Sequence, residues 1–229
     1  MSAWIKICGT TNLEDALLTV AAGADALGFI FAPSPRKVSA EQVRVITEQV
    51  RAVERIGLFV NEQPEKIGEI FERAALTGVQ LHGDEVPEEV ASVSQQLRAI
   101  GRKARIIKTL RFTPQLVKDL RTFADSELVD AVLIDTFSPH ARGGTGMTFD
   151  WEQANDSVRN AQVPIIIAGG LNPENVPQAL ATLGPFGVDA TSGLEIRPGK
   201  KDAKKLEAFC AAVKAFQPAD VAQFAKEKI

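Results

Sequence analysis

Residues 164–173 read Pro-Ile-Ile-Ile-Ala-Gly-Gly-Leu-Asn-Pro. A short apolar run such as Pro164–Ala168 suits a strand buried on both faces. Gly169 and Gly170 end it, and Asn172-Pro173 then sets a capping side chain before a proline at a first helical position. The order strand, loop, helix recurs in both directions along the chain. Seven further apolar runs have the same texture: Trp4–Ile7, Ala26–Phe31, Ile56–Val60, Val79–Leu81, Arg105–Thr109, Ala131–Ile134 and Val188–Ala190.

Amphipathic stretches fill the intervals. Leu13, Ala16, Leu17, Val20 and Ala21 follow helical spacing, as do Ile67, Ile70, Phe71, Ala74 and Ala75, and Leu116, Val117, Leu120, Phe123 and Ala124. Thr11 with Glu14 and Ser39 with Gln42 have capping-box spacing, and Thr113-Pro114 repeats the cap-proline signal. An open doubly wound sheet accommodates this alternation, but eight regular units favour closure into a single (β/α)8 TIM barrel. The barrel is expected to span residues 1–216. Residues 217–229 follow the eighth unit as an appended helix or a tail.

Composition narrows the function. The chain has 229 residues, 45% hydrophobic and 24% charged, which suits one globular domain. A net charge of -3 provides no general pull toward nucleic acid or anionic lipid. Two cysteines without a CxxC pair fit a reducing compartment. No signal peptide or membrane-length apolar run is present in the sequence, so a cytoplasmic location is expected, with neither nucleic acid nor membrane as partner. Only two histidines occur, His82 and His140, which excludes a zinc site built on several histidines, and no dense metal-ligand cluster is visible.

In a barrel the reactive groups come from the C-terminal ends of the strands and the loops that follow. Gly169-Gly170 and Ser192-Gly193 follow the last two strands, the usual phosphate location, where backbone N–H groups can approach an anion. The alternative is that they only make tight turns. Gly143-Gly144-Thr145-Gly146 adds a third such loop, either a phosphate ligand through Gly144 and Gly146 or a lid. Cys8 ends the first strand and is either an inert core thiol or, as a thiolate, a base or nucleophile. Lys6, two residues back, shares its interior face and would favour the thiolate. Asp135 ends an apolar strand and is either a structural cap or a general acid with a raised pKa. Arg36 is either a solvated surface arginine or a bidentate grip for a carboxylate. His82 reads as a hydrogen-bonding residue of the mouth.

These residues lie in segments that resemble the phosphoribosylanthranilate isomerase family of tryptophan biosynthesis. The segments include Ile5–Gly9, Gly28–Phe31 leading to Ser34-Pro35-Arg36, Gly57–Asn61, Val79–Glu85, Leu133–Thr136, Gly143–Gly146 with Phe149-Asp150-Trp151, Ala168–Val176, and Gly187–Asp189 with Ser192–Glu195. They occur in order, one per unit, and cover nearly the whole chain up to about Phe216.

The resemblance implies an Amadori rearrangement of N-(5'-phosphoribosyl)anthranilate to 1-(2-carboxyphenylamino)-1-deoxyribulose 5-phosphate. It implies Asp135 as general acid, Cys8 as general base, Arg36 on the anthranilate carboxylate, and Ser192 with the glycine loops on the phosphate. Asp189 would face the substrate amine or ring. No cofactor and no metal are implied; the partner is a small phosphoribosyl substrate, and the assembly is a monomer or a homodimer. The nearest rival is the histidine-pathway aminoaldose isomerase, which has Asp where this chain has Cys8 and shows a half-barrel repeat not seen here. An indole-glycerol-phosphate synthase would need a Lys and Glu set that is not found. A non-catalytic phosphate-binding barrel is the rival from a different class.

Overall fold

The computed structural model describes residues 2–101, 103–135 and 151–216. The first half runs β1 (Trp4–Ile7), α1 (Leu13–Ala22), β2 (Ala26–Ile30), α2 (Ala40–Thr47), β3 (Glu54–Phe59), α3 (Pro64–Arg73), β4 (Gly78–Leu81) and α4 (Pro87–Ala99). The second half runs β5 (Arg105–Arg111), α5 (Leu116–Ser126), β6 (Ala131–Asp135), α6 (Trp151–Arg159), β7 (Ile165–Ile167), α7 (Val176–Leu183) and β8 (Gly187–Ala190). A short 3-10 turn (Ser192–Leu194) and a two-stranded hairpin, β9 (Glu195–Arg197) with β10 (Lys200–Lys201), precede α8 (Ala203–Ala215). All eight expected strands are present, and β1 to β8 close into one parallel barrel. The expected tail, residues 217–229, lies outside the described residues.

Strand alternation sorts the side chains into two sets. Outward-facing Ile5, Ile7, Leu27, Phe29, Val79, Leu81, Val132, Ile134, Ile165 and Ile167 pack under the helices. Inward-facing Ala26, Ile56, Ile107, Ala131, Leu133 and Ile166 form a separate interior cluster, with Trp4 and Phe186 packed against it. Further along the strands the interior becomes polar, because the inward residues are now Lys6, Gln80, Thr109, Asp135 and Asp189, all buried. The barrel is therefore a packed apolar plug below a polar floor, and that floor is where a ligand can be held.

Closure is made by β1 against β8, with Trp4 opposite Gly187, Lys6 opposite Asp189 and Ile7 opposite Ala190. Gly187 leaves room for this approach: a Cβ there would lie 2.8 Å from the Trp4 carbonyl oxygen. Among the described residues no helix is long and apolar enough to cross a membrane.

Several local expectations shift. Ser39 and Gln42 do form a capping box on α2. The cap of α1 is Asn12 instead of Thr11, whose hydroxyl donates to the Gly199 carbonyl oxygen at 2.7 Å. On α1 the expected face is borne out at Ala16, which is buried, and at Leu13 and Val20, which pack against the core, but Leu17 is 48% exposed and Asp15 and Thr19 are buried. The cause is tertiary, since Asp15 pairs with Lys200 at 2.7 Å and accepts from the Lys201 N–H at 2.8 Å. Thr113-Pro114 and Asn172-Pro173 each make a turn ahead of their helix, and α5 and α7 start later, at Leu116 and Val176. Asn172 still accepts backbone bonds there, from the N–H groups of Glu174 and Asn175.

The two faces of the sequence pattern should differ in stability. Leu133→Ala in the interior cluster is expected to cost roughly 2–5 kcal/mol. Leu17→Ala on the exposed face of α1 should stay within about 0.5 kcal/mol. Urea unfolding of the two variants measures the difference, and equal losses would contradict the interior assignment of Leu133.

Candidate active site

A pocket of about 530 Å³ opens at the C-terminal ends of the strands, well within the range of small-ligand sites. Cys8, Arg36, His82, Asp135, Gly169, Gly170, Asp189, Ser192 and Gly193 all line it. Nine of the eleven expected site residues thus converge from β1, β2, β4, β6, β7 and β8. The other two, Gly144 and Gly146, lie outside the described residues, as does the whole loop 138–146.

Cys8 sits one residue past β1 and is tied to β8 by its N–H, which donates to the Ala190 carbonyl oxygen at 2.9 Å. Its thiol needs the space left by Gly28 on β2, where a Cβ would lie 2.7 Å from Sγ. Lys6 lies on the same interior face, fully buried, and its ammonium pairs with Asp189 at 2.9 Å. Burial alone would lower the Lys6 pKa, but the charges of Asp189 and Cys8 outweigh it and hold Lys6 above its ordinary value. Lys6 does favour the thiolate, as expected, but it does not set the net direction of the thiol pKa. Burial pushes it above the usual 9.0 and Asp189 adds to that rise, against the opposing pull of Lys6 and Lys201. Lys6 thus tempers a desolvation effect that it does not overcome.

Asp135 ends β6, three strands round from β1 by way of β8 and β7, and is 6% exposed. His82 Nε2 lies 3.6 Å from its Oδ2. The other ring nitrogen, Nδ1, is 3.0 Å from Thr109 Oγ1 and 3.0 Å from Gln80 Nε2. The imidazole is therefore oriented by β4 and β5 so that one edge faces the carboxyl. This matches the reading of His82 as a polar residue of the mouth.

Arg36 reaches the pocket because Gly9 has φ +75 and no side chain: a Cβ there would lie 2.6 Å from Arg36 Cδ. Its guanidinium is already engaged. Nε donates to Glu195 Oε1 at 2.9 Å and to Oε2 at 3.1 Å, and Nη2 donates to Oε2 at 2.6 Å. Burial alone would raise the Glu195 carboxyl; the bonds from Arg36, the charges of Lys201 and Arg36 and the Gly199 N–H hold it below the usual carboxylate range.

Gly169 and Gly170 have φ values of 89 and 65, a conformation that side-chain-bearing residues rarely adopt. Gly193 lies against the same loop, where a Cβ would be 2.2 Å from the Leu171 carbonyl oxygen. Two backbone segments are thus pressed together with their peptide groups beside the pocket, an arrangement suited to an anion.

Chain comparisons agree with this geometry. A family model described as N-(5'-phosphoribosyl)anthranilate (PRA) isomerase matches residues 5–212. The N-(5'-phosphoribosyl)anthranilate isomerase of Pelobacter propionicus is 45% identical over 207 residues, covering 90% of this chain and 92% of that protein. The phosphoribosyl anthranilate isomerase of Thermotoga maritima superposes with a TM-score of 0.79 at 38% identity, covering 93% of this chain and 100% of that one. A phosphoribosyl anthranilate isomerase crystallised with reduced 1-(o-carboxyphenylamino)-1-deoxyribulose 5-phosphate superposes at 0.78 with 35% identity, covering 93% and 100%.

Sequence reasoning passed over three polar residues. Gln80 lines the pocket with its Oε1 buried and unpartnered among the described residues. Glu195 was visible only as part of a motif, and Lys201 carried no signal beyond a basic pair after a Pro-Gly turn. Lys108, expected at a strand end, lies in the middle of β5, which runs on to Arg111; it is not among the residues lining the pocket and pairs with Glu85 at 2.6 Å.

The Cys8 thiol should titrate above 9.0, and Lys6→Met should move it higher still, because the nearest cation is gone. The pH dependence of alkylation, followed by mass on the Cys8 peptide, reads this directly. A downward shift would show that Lys6 does not act on the thiol.

Proposed function

The chain belongs to the N-(5'-phosphoribosyl)anthranilate isomerase family and is an isomerase of tryptophan biosynthesis, and from that premise we propose how its residues divide the reaction. One observation carries the proposal: a single pocket holds Cys8 and Asp135 on separate walls, with the glycine loops of β7 and β8 between them and Arg36 beyond Cys8.

The order around the mouth orients the substrate. Its phosphate lies on the backbone of Gly169, Gly170, Ser192 and Gly193. Its anthranilate ring extends past Cys8 so that the carboxylate meets Arg36. The ribose then lies between Cys8 and Asp135. Asp135 gives its proton to the ring oxygen as the C1'–O4' bond breaks, and the anthranilate nitrogen lone pair forms the C1'=N bond of a protonated Schiff base. Cys8 takes the C2' proton in its thiolate form, the minor one at neutral pH because burial raises the thiol, and the C–H electron pair forms the C1'=C2' bond while the C=N electrons return to nitrogen. The enolamine loses its 2'-hydroxyl proton and gains one at C1', which yields the aminoketose. Each of the three steps moves a proton, so the two side chains suffice as acid and base.

His82 holds the Asp135 side of the mouth polar, and Asp189 keeps Lys6 charged behind the thiol while facing the substrate amine or ring. The protein works in the cytoplasm on a free phosphoribosyl metabolite, with neither nucleic acid nor membrane as partner; a net charge of -3 and two unpaired, buried cysteines support that setting.

Cys8→Ala and Asp135→Asn should each lower kcat by roughly 10²–10⁴-fold with little change in KM. Arg36→Met should mainly raise KM. Loss of the anthranilate-type fluorescence of the substrate reports turnover, and near-normal kcat in Cys8→Ala would remove Cys8 from the mechanism.

A further inference from the structure

We propose that Lys201 is the third member of the Arg36 clamp, a positioning residue that acts through Glu195 to leave the clamp one surplus positive charge for the substrate carboxylate. The inference rests on the assignment of Arg36 to that carboxylate.

Arg36 meets Glu195 along its Nε–Nη2 edge. Among the described residues Nη1 has no protein acceptor, so the Nη1–Nη2 edge is the one left for a ligand. Geometry alone would make this a poor anion site. A guanidinium already paired with a carboxylate presents little net field to a second one.

Lys201 changes the balance. It stands on β10, immediately behind Glu195, and is 2% exposed. Its Nζ lies 3.3 Å from Glu195 Oε1, 2.6 Å from the Cys8 carbonyl oxygen and 3.4 Å from the Thr191 carbonyl oxygen. Three acceptors surround it. An ammonium has three N–H donors and a neutral amine only two, so the arrangement fits the charged form. Burial, with Arg36 adding to it, brings the Lys201 pKa below its ordinary value; Glu195 and Cys8 oppose that fall, and the three acceptors around Nζ are what favour the ammonium. Arg36, Glu195 and Lys201 together then carry one net positive charge, which a ligand carboxylate would neutralise. Because Lys201 is shielded from solvent, its contribution is weakly screened by salt.

Packing does not account for this residue. A buried ammonium is costly to desolvate, and an apolar side chain of similar length would fill the same slot without that cost. The placement has a second consequence. The same ammonium holds the peptide of the proposed base, the carbonyl that leads into the phosphate loop, and the carboxylate that aims Arg36.

The test compares KM and kcat for wild type, R36M, K201M, K201Q and the double variant K201M/E195Q. Two substrates are used: N-(5'-phosphoribosyl)anthranilate and its carboxylate-free aniline counterpart. K201M and K201Q should each raise KM for the anthranilate by about tenfold, with a smaller effect on kcat and little change in KM for the aniline compound. K201Q keeps an N–H donor for the two carbonyls, so it serves if K201M does not fold. In K201M/E195Q the clamp regains its surplus charge while the E195Q amide oxygen still accepts from Arg36, so KM should return most of the way. A merely structural lysine would leave the double variant no better than the single one. That result, or unchanged KM in both single variants, overturns the role of Lys201 while R36M still weakens anthranilate binding. An R36M that binds both substrates as well as wild type would overturn the assignment of Arg36, and this inference with it.

Discussion

The β1–β8 ladder is the constraint on which the rest depends. Eight parallel strands make a barrel only when the last hydrogen-bonds the first, and here Lys6 pairs in register with Asp189 and Ile7 with Ala190. A slip of one residue would send every inward side chain outward. Lys6 would then face the helices, and the thiol of Cys8 would leave the mouth. The same ladder brings the loop after β8 beside the loop after β1. That proximity lets Gly9, Arg36, Thr191 and Lys201 meet.

Among the described residues three lysines are buried, each with a carboxylate: Lys6 with Asp189, Lys108 with Glu85, and Lys201 with Glu195. Buried ion pairs are weak evidence for stability, because desolvation offsets much of the attraction. Their positions are more telling. The pair at Lys6 stands behind the thiol and moderates its titration. The pair at Lys201 stands behind the guanidinium of Arg36. The pair at Lys108 ties β5 to the loop after β4 instead, with the Lys108 ammonium donating to the Gly83 carbonyl oxygen at 3.0 Å.

Local signals were read correctly where local forces decide. The capping box of α2 needs only Ser39 and Gln42, and it forms as spaced. On α1 the spacing places Leu13, Ala16 and Val20 against the core but cannot place Asp15, which is buried because its partners Lys200 and Lys201 reach it from some 185 residues away in sequence. The net titration of the Cys8 thiol escapes the sequence for a related reason. Spacing shows that Lys6 shares its face, but it cannot show that Asp189 sits opposite Lys6, or how completely the site excludes water.

The sequence by itself determined the eight-fold alternation, the barrel, and the residues at its strand ends, because period-two burial and glycine loops are written in neighbouring positions. It also located Cys8, Asp135, Arg36 and both glycine loops, since the barrel rule turns strand ends into site candidates. Tertiary structure alone decided which of these groups touch and with what charge. The Arg36–Glu195–Lys201 chain joins the loop after β2 to β9 and β10 through contacts between residues far apart in sequence, and no periodicity encodes a partner at that distance. Burial set the rest, because the cost of holding a charge depends on the whole surrounding shell of atoms and on no single stretch of chain.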